Sequence, residues 1–446
     1  MVNDVLHIVI NGIHVADLIE HAYPPLTLVY APTWLNHPRR RSLSLSLPLQ
    51  SRQLESPTVK AFFENLLPDN PVTVARIVRQ FHLSSSDAFT VLKAIGRDCI
   101  GAIQLFPNDV PSPNPETVST KPLSDHDIEE ILKNNDSRPL GMTENDDFRL
   151  SLAGAQTKTG LLYQNNQWFL PLAATPTSHI LNLALGAMVN NSVNFSDSCE
   201  NEWLCLRIAK SFGFQVANAK LLTFGTTKTI AIERFDRVFI NNKIFRLPTE
   251  DLCQALGVNP TMKYESDGGP GIARIMNCLN GSQNADHDRR TFLAAQVLLW
   301  LLDSPDGHAK NYSIFIDVND GYYLTPLYDI LSVAPLVASG QLNKRKVKLA
   351  MSLIGKNRHS RMEDIQPRHF LSTAEAVDFP TDVMRDILEK MSYEADEVIN
   401  HVQSTLPPDF PRSTSEPIFN TVRQRAAKIR VFLQALFCKL NDHAVY

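Results

Sequence analysis

Apolar and polar residues alternate along the start of the chain in a pattern that predicts a small sheet. Short apolar runs between Leu6 and Leu28 flank Asn11-Gly12, a dipeptide typical of tight β-hairpins. Ser42 to Leu49 continue with strand-like alternation. Helical spacing follows in several later segments, and Gly96 marks the end of the last of them. We therefore predict an N-terminal α/β subdomain over residues 1–106.

Prolines interrupt this periodicity after residue 106. Residues 107–122 contain five prolines, and proline is poorly tolerated in helix interiors and central strands. Ser124 is a favourable N-cap for a short helix that runs to Lys133. We interpret residues 107–135 as a linker that ends in this helix.

The rest of the chain divides into a β-rich part and a mostly helical part. Strand-like segments surround one amphipathic helix, Cys199 to Phe212, within residues 136–250. Longer helical segments follow, such as 289–302 and 421–440. The pattern predicts one domain over 136–250 and a mostly helical domain over 251–446.

Composition excludes several classes of protein. A formal net charge of -4, from 43 Lys+Arg and 47 Asp+Glu, gives no global reason to expect nucleic-acid binding as the main activity. The six cysteines are scattered and form no C-x-x-C pair, as in proteins of a reducing compartment. The chain has neither the pattern of a signal peptide nor an apolar run long enough for a membrane span. We expect a soluble, cytoplasmic protein without a membrane partner.

The strongest local signal is Asp306-Gly307-His308-Ala309-Lys310-Asn311, which follows a long apolar helix. Its D-x-x-x-x-N spacing matches a kinase catalytic loop, where Asp accepts the proton of the attacking hydroxyl and Asn holds a metal ion. The bare pattern also fits a helix end followed by an Asp-Gly turn.

A predicted hairpin after Asn311 favours the catalytic interpretation. Its strands, Tyr312 to Ile316 and Tyr322 to Leu324, should return the chain so that Asp329 arrives beside Asn311. Asp329, expected at a strand end, would add a carboxylate of the kind that Mg²⁺ prefers. We therefore predict Asp306, Asn311 and Asp329 to form the core of a phosphoryl-transfer site.

Two other segments carry weaker signals. The small-residue loop from Ser151 to Thr159 could bring backbone N–H groups close to phosphates, although its sequence also fits an ordinary turn. Glu233 to Asp236 ends the last strand before the helical region, where an adenine-binding hinge would lie, or it is an edge-strand end with solvated charges.

Three further segments are less informative. Gly268 to Gly271 must be a loop, and the basic clusters Arg39 to Arg41 and Lys344 to Lys348 are short enough to be solvated faces.

Together with several other short motifs that occur in the same order along the chain, these residues resemble the HipA family of bacterial toxin kinases. The resemblance runs almost from end to end. The matching segments are Leu43 to Leu49, Phe63 to Asp69, Ile95 to Asp98, Ala153 to Gln156, Glu233 to Asp236, Tyr264 to Gly271, Asp306 to Asn311 and Tyr328-Asp329. The resemblance implies an α+β, two-lobed, protein-kinase-like fold, with a small β-rich N-terminal subdomain, a nucleotide-binding N-lobe and a mostly helical catalytic C-lobe.

The resemblance also implies an activity and partners. The chain would be a serine/threonine protein kinase toxin that uses ATP and Mg²⁺, with an aminoacyl-tRNA synthetase, in particular glutamyl-tRNA synthetase, as protein substrate. A small HipB-like helix-turn-helix antitoxin that binds operator DNA would restrain it. Ser151 would be the autophosphorylation site.

Roles follow for individual residues. Asp306 would be the catalytic base, and Asn311 and Asp329 the Mg²⁺ ligands. The remaining residues would bind the nucleotide, with the loop over the phosphates and the hinge against adenine, mainly through its backbone. These residues are Ala153, Gly154, Ala155, Gln156, Thr157, Lys158, Glu233, Phe235, His308, Lys310 and Tyr328.

The sequence departs from the family pattern in two places. A lysine that holds phosphates typically follows the His-Ile-x segment, but Asn182 stands there, without the charge to bind phosphate or to pair with Glu202. Lys158 could supply part of the missing charge. The second departure is in the segment Arg368 to Phe379, a predicted helix that is basic in some relatives. Glu375 and Asp378 make this helix acidic here, so we expect DNA contact through the antitoxin only.

Two alternatives to an active toxin kinase stay open. Asn182 is consistent with a catalytically weak or silent corepressor that works bound to the antitoxin. The Asp and Asn spacing of the catalytic loop also occurs in small-molecule phosphotransferases.

Overall fold

The computed structural model describes residues 4–21, 26–55, 57–110, 117–134, 139–142, 149–154, 156–188, 193–241 and 243–443. Their strands are β1 Asp4–Ile10, β2 Ile13–Glu20, β3 Leu26–Tyr30, β4 Ile103–Pro107, β5 Ser119–Pro122, β6 Lys158–Gln164, β7 Gln167–Leu172, β8 His179–Leu183, β9 Gly186–Met188, β10 Val193–Phe195, β11 Ala219–Phe224, β12 Thr227–Glu233, β13 Arg237–Ile240, β14 Lys243–Arg246, β15 Thr249–Asp251, β16 Ser313–Ile316, β17 Tyr322–Leu324, β18 Lys348–Ile354 and β19 Arg358–Arg361.

The helices are longest toward the C-terminal end, as the apolar periodicity predicts. They are α1 Pro32–Leu35, α2 Pro57–Glu64, α3 Pro71–Gln80, α4 Ala88–Ile95, α5 Asp125–Lys133, α6 Ser198–Ser211, α7 Leu252–Ala255, α8 Ile272–Leu279, α9 Ala285–Leu302, α10 Ala334–Ala338, α11 Pro367–Ala376, α12 Thr381–Ser404 and α13 Arg412–His443. Within the described ranges, none of them is both long enough and apolar enough to cross a membrane.

The chain folds into two compact units, each built from separate segments of the sequence. The first unit comprises Met1–Leu183, Asn218–Lys263 and Ser313–Thr325. The second comprises Ala184–Ala217, Tyr264–Tyr312 and Pro326–Tyr446. The contiguous domain boundaries expected after residues 106, 135 and 250 remain predictions.

The first unit opens with a four-stranded antiparallel sheet in the order β3-β2-β1-β4. The predicted hairpin turn is confirmed, with φ values of 47° at Asn11 and 83° at Gly12, the left-handed conformation that a two-residue type I′ turn requires. Leu6 and Ile8 of β1 point into the core, where Phe63 of α2 is also fully buried. The alternation from Leu6 to Ile8 therefore reflects a buried sheet face, and Val9, after the register shift that follows Ile8, is buried as well.

The strand predicted over Ser42 to Leu49 is wrong. The Leu47 N–H donates to the Ser44 carbonyl at 3.0 Å, which closes a turn inside the segment. The Ser46 hydroxyl donates to the carbonyl of Gln254 at 2.7 Å. Serine hydroxyls can satisfy nearby backbone groups in place of a ladder, so this alternating segment forms turns with only an isolated bridge between Ser44 and Leu47.

A second, six-stranded sheet of the first unit runs in the order β11-β12-β8-β6-β7-β5, and its neighbouring strands are antiparallel. The predicted linker contributes its edge strand β5, where Pro122 is tolerated because an edge strand need not donate on both sides. The N-cap predicted at Ser124 is confirmed, with Ser124 and Asp127 forming a reciprocal capping box.

The second unit is mostly helical, with the two-stranded pairs β9–β10 and β18–β19. Helix α9 lies in its core, and Trp300, Leu301 and Leu302 near its end are fully buried. The Trp300 indole donates to the Met362 carbonyl at 3.1 Å. Because α9 is apolar on nearly all faces of its second half, it is a central helix rather than a surface one.

Candidate active site

The predicted catalytic loop begins where helix α9 ends. Asp303 adopts a left-handed conformation with φ 53° and terminates the helix. Its carboxylate accepts a hydrogen bond from the Arg425 guanidinium of α13, in a buried ion pair. The loop then runs through Asp306 to a short 3₁₀ turn, Ala309–Asn311. The first residue of the loop is thus anchored in the core of the second unit.

Asp306 is held by its backbone while its side chain stays accessible. The Asn311 side-chain amide donates to the Asp306 carbonyl at 2.7 Å, and the His308 N–H donates to the same oxygen at 2.9 Å. The Asp306 side chain is 44% exposed. A carboxylate on a fixed backbone and open to solvent suits a base that must meet a substrate hydroxyl.

Two aromatic side chains lie against the Asp306 carboxylate. The Tyr264 hydroxyl donates a hydrogen bond to Oδ1. Nε2 of His308 lies 3.6 Å from the same oxygen, and the Tyr264 and His308 rings meet edge to face with centroids 4.9 Å apart. Tyr264 was not among the predicted site residues, and His308 faces the predicted base.

Asn311 and Asp329 line one small cavity together with Gly307 and Tyr328. The Tyr328 hydroxyl donates to the Lys310 carbonyl at 2.8 Å, which joins the two segments of the site. Because the Asn311 amide nitrogen faces the Asp306 carbonyl, the amide oxygen is turned the other way. An amide oxygen and a carboxylate in one cavity fit the oxygen ligands that Mg²⁺ prefers.

The predicted strand end at Asp329 is wrong in its local geometry. Asp329 adopts a left-handed backbone conformation with φ 55° and lies outside the described strands. Asp tolerates this region better than most residues, and non-glycine residues held there cluster at functional sites. The chain reaches Asp329 after the hairpin of β16 and β17, which is confirmed.

Two residues of the catalytic loop, His308 and Lys310, are predicted to bind nucleotide, and both are largely buried. His308 is 3% exposed and Lys310 is 6% exposed. In the second unit the structure thus places His308 and Asn311 beside Asp306, and Asn311, Tyr328 and Asp329 around one cavity. The roles of these residues stay predictions.

The predicted phosphate loop lies in the first unit and is tied down at several points. The Asp69 N–H donates to the Gly154 carbonyl at 3.2 Å, and Gly154 has φ 103°, which favours glycine. The Gln156 amide donates to the Leu183 carbonyl at 2.7 Å. Ala155, also predicted to bind nucleotide, lies outside the described residues.

Ser151, the predicted autophosphorylation site, is fully buried. Its hydroxyl donates to the Leu66 carbonyl at 2.7 Å, and its N–H donates to the Asp98 carbonyl at 3.0 Å. No kinase can reach this hydroxyl unless the segment moves out.

Lys158 begins strand β6, and its ammonium group donates to the Ala153 carbonyl at 3.0 Å. Lys158 pairs with Asn182 across strands β6 and β8. A small cavity is lined by Thr157 and Lys158 and also by Arg76. Arg76 was missed from sequence because it lies on a helix far from the loop in the chain and carries no motif.

Two backbone N–H groups of the predicted adenine hinge already donate hydrogen bonds within the protein. Glu233 is exposed, and its N–H donates to the Asn218 carbonyl at 2.8 Å, while the Arg234 N–H donates to the Ser178 carbonyl at 2.9 Å. The Phe235 ring packs edge to face against Phe315 at 5.9 Å.

The charges after Glu233 are not solvated, contrary to the edge-strand alternative. Arg234, Asp236, Arg237 and Arg246 surround Asp98 in a buried cluster. Burial would raise the pKa of Asp98, but the charges of Arg237, Arg246 and Arg234 outweigh it and lower the pKa below its usual value. Burial and the neighbouring Arg234 charge lower the pKa of Arg237 to about 10. These motif residues stabilise the fold of the first unit.

Comparison with known proteins connects this architecture to one family. The family model of the HipA-like C-terminal domain matches residues 150–399, and that of the HipA N-terminal domain matches residues 6–106. The chain is 31% identical over 334 residues to a Sinorhizobium fredii protein named "Putative kinase Y4mE", covering 74% of this chain and 77% of that protein.

A second relative and a solved structure agree. The serine/threonine-protein kinase toxin HipA of Shewanella oneidensis is 27% identical over 304 residues, covering 65% of this chain and 66% of that one. A structure of Shewanella oneidensis HipA with HipB and its operator DNA superposes with a TM-score of 0.79 at 23% identity, covering 94% of this chain and 96% of that one. The chain therefore has the α+β fold of HipA, and it belongs to the HipA family of serine/threonine kinase toxins.

Proposed function

We propose that this chain is an ATP- and Mg²⁺-dependent serine/threonine protein kinase in which Asp306 is the catalytic base. The observation that carries the proposal is the placement of Asp306. Its backbone carbonyl is held by the Asn311 amide and its carboxylate is accessible. Asn311 thereby links the base to the cavity that it shares with Asp329.

The residues of the second unit would divide the work. Asp306 would accept the proton of the acceptor hydroxyl as the oxygen attacks the γ-phosphorus. Asn311 and Asp329 would hold Mg²⁺, which when bound neutralises charge on the phosphate oxygens. The Tyr328 hydroxyl bond to the Lys310 carbonyl would keep the two ligand segments together. His308 and Lys310 would contact the nucleotide.

The first unit would supply the remaining nucleotide contacts. The loop from Ala153 to Lys158 would cover the phosphates, with the Lys158 ammonium as its cation. Glu233 and Phe235 would contact adenine. Since the Glu233 and Arg234 N–H groups are already bonded, adenine would have to use other backbone groups of this segment.

We further propose that the kinase is a toxin restrained by a small helix-turn-helix antitoxin that carries the DNA contact. The superposition on a HipA that was solved with HipB and operator DNA supports this assembly. An aminoacyl-tRNA synthetase, glutamyl-tRNA synthetase first, is the protein substrate to test. A chain that acts in the reducing cytoplasm would keep its cysteines as thiols.

Asn182 favours one alternative, a weak or silent kinase that serves as corepressor. It is 5% exposed and carries no charge to hold phosphate. A small-molecule phosphotransferase is the other alternative, because the catalytic loop itself does not distinguish protein from small-molecule acceptors.

A transfer assay with γ-labelled ATP tests the proposal and separates the alternatives. We expect label in protein with glutamyl-tRNA synthetase present, and a loss of at least about a hundredfold in Asp306→Asn and Asp329→Asn. Asn is preferred to Ala at residue 329, since Ala in the left-handed region would add about 1 to 2 kcal/mol of strain. Asp382→Asn, at an exposed aspartate on α12, is the matched control.

Each outcome of this assay has a separate meaning. Label confined to small molecules supports the phosphotransferase. No transfer by the wild type supports the silent corepressor. Full activity in Asp306→Asn with unchanged thermal stability overturns the assignment of the base.

A further inference from the structure

A cavity of about 1060 Å³ in the second unit opens beside Asp306. Strand β18 forms one of its walls, with Lys348, Leu349, Ala350, Ser352 and Ile354 lining the cavity. Met351, on the opposite face of the strand, is buried in the core. From Ala350 to Ile354 the strand therefore alternates between the cavity and the core, whereas Leu349 at its start is buried and also borders the cavity. The cavity is therefore built on a well-packed wall.

Tyr264 lies at the point where this cavity meets the proposed base. It lines the cavity, as does Asp306, and its hydroxyl donates to Asp306 Oδ1. An acceptor hydroxyl about to be phosphorylated must make the same hydrogen bond to the base. Tyr264 thus makes the contact that an incoming substrate hydroxyl needs.

The segment that carries Tyr264 is tethered by a few polar contacts. The next residue, Glu265, accepts hydrogen bonds from the Ser352 N–H at 2.6 Å and from the Arg358 guanidinium. Gly268 has φ 90°. A Cβ at Gly271 would lie 2.2 Å from the Glu265 carboxylate, so glycine lets the segment fold tightly around that side chain. Polar tethers and glycines allow the segment to shift without disturbing the core.

We propose that this cavity binds a polypeptide segment bearing the acceptor serine or threonine, and that Tyr264 occupies the acceptor hydroxyl's position on Asp306 until substrate displaces it. The proposal rests on the kinase function proposed above. Once the substrate has displaced Tyr264, the hydroxyl of the acceptor serine or threonine donates to Asp306. The oxygen of that hydroxyl then bonds to the γ-phosphorus of ATP. The bond from that phosphorus to the β–γ bridging oxygen breaks, ADP leaves, and the proton passes to Asp306.

The lining of the cavity indicates which acceptor segments fit. Apolar side chains such as Phe195, Ile272 and Leu336 line it, and the exposed cations Lys346 and Lys348 lie along it. Glu265, an anion of the same lining, is neutralised by Arg358. We expect acceptors with apolar flanks and an acidic residue close to the hydroxyl, because carboxylates would meet the two lysines.

Peptide binding tests the proposal without requiring turnover. The probe is a fluorescently labelled set of serine-centred peptides, with apolar, acidic or basic residues at each flanking position, measured by anisotropy. Tyr264→Phe keeps the ring beside His308 and removes the competing hydroxyl. Because one net hydrogen bond contributes about 1 kcal/mol, we expect roughly fivefold tighter binding of the preferred peptides. Tyr393→Phe, at an exposed tyrosine of α12, should bind like the wild type.

A second variant tests the predicted selectivity. Lys346→Glu combined with Lys348→Glu should remove the preference for acidic peptides while apolar flanks remain favoured. Equal peptide binding by wild type and Tyr264→Phe, or binding by neither protein, overturns the proposal.

Turnover separates this proposal from the function on which it rests. Tighter binding in Tyr264→Phe without phosphate transfer by any form leaves the Tyr264 proposal standing and removes the kinase function. The reverse result is phosphate transfer by the wild type, together with a Tyr264→Phe variant that has a lower kcat and an unchanged peptide affinity. That result supports the kinase function and removes the Tyr264 proposal. In that case Tyr264 only positions Asp306.

Discussion

Lys158 stands directly opposite Asn182 in the antiparallel pairing of strands β6 and β8. Directly opposite residues of such a pair project from the same face with Cβ atoms about 4.5 to 5.5 Å apart. The position that lacks the expected lysine is therefore next to a lysine on the neighbouring strand. This supports Lys158 as a substitute cation for the phosphates, and it leads to the first prediction.

We expect Lys158→Ala to lower the rate of phosphate transfer by about a hundred- to a thousandfold, since it removes a preorganised charge from the transition state. Asn182→Lys should raise the rate. Without nucleotide, that variant places two ammonium groups opposite each other and should be less stable than the wild type, and ATP should restore its stability.

Initial rates with γ-labelled ATP and thermal melts with and without ATP measure these effects. Lys220→Ala, at an exposed lysine of β11 in the same sheet, is the control. A fast wild type that neither substitution changes would show that another group holds the phosphates. Pairing of a lysine at residue 182 with Glu202 remains a prediction, which a double-mutant cycle measures.

The second prediction concerns Ser151. Its hydroxyl is buried against the Leu66 carbonyl, and a phosphate dianion cannot be buried there without a compensating partner. We expect phosphorylation at Ser151 after incubation with Mg²⁺-ATP, accompanied by release of the segment. Mass spectrometry should locate the phosphate, and hydrogen exchange should accelerate at the Ser151 amide and at the Asp69 amide, which donates to the Gly154 carbonyl.

Two results would contradict this expectation. One is an active preparation with Ser151 wholly unmodified. The other is a phosphorylated Ser151 whose amide stays as protected as in the unmodified protein. Ser404, exposed on α12, provides the internal comparison and should remain unmodified.

The third prediction separates a motif residue from catalysis. The Asp98 carboxylate is shared by Arg234, Arg237 and Arg246 in a buried cluster. Removing one partner of a buried ion pair typically costs about 3 to 5 kcal/mol. Asp98→Asn should therefore lower the free energy of unfolding by about this amount, as measured by urea denaturation. Asp109→Asn, at an exposed aspartate, should leave it unchanged, and equal stability of both variants would refute the structural role of Asp98.

The fourth prediction is a pH dependence that originates at Glu250. Burial raises its pKa from 4.5 to about 8, so the folded protein keeps a proton there that the unfolded chain releases. Stability should fall as pH rises between about 4.5 and 8, with a slope of up to about 1.4 kcal/mol per pH unit from this group. Glu250→Gln cannot ionise, and it should flatten the decrease in denaturation midpoint over that range. Glu375→Gln, at an exposed carboxylate, should keep the wild-type slope, and an equal slope in both variants would be inconsistent with a buried, protonated Glu250.

The sequence by itself determined the features that depend on neighbours along the chain. The Asn11-Gly12 hairpin, the Ser124 capping box and the long C-terminal helices follow from turn chemistry and apolar spacing. Asp306 and Asn311 were recognisable because five residues of chain bring the Asn311 amide back onto the Asp306 carbonyl. Local spacing is sufficient for such contacts, since short loops close at little entropic cost.

Only the tertiary structure decided the contacts between distant segments. Tyr264 reaches Asp306 across 42 residues of sequence, Lys158 meets Asn182 through strand pairing, and the charged cluster joins Asp98 to residues 136, 139 and 148 positions later. Ser42 to Leu49 alternates like a strand, yet its serine hydroxyls form hydrogen bonds with backbone groups of the same segment and with the Gln254 carbonyl. Whether a polar residue faces solvent, a partner or the core depends on which segments pack against it, and periodicity along one segment does not decide that choice by itself.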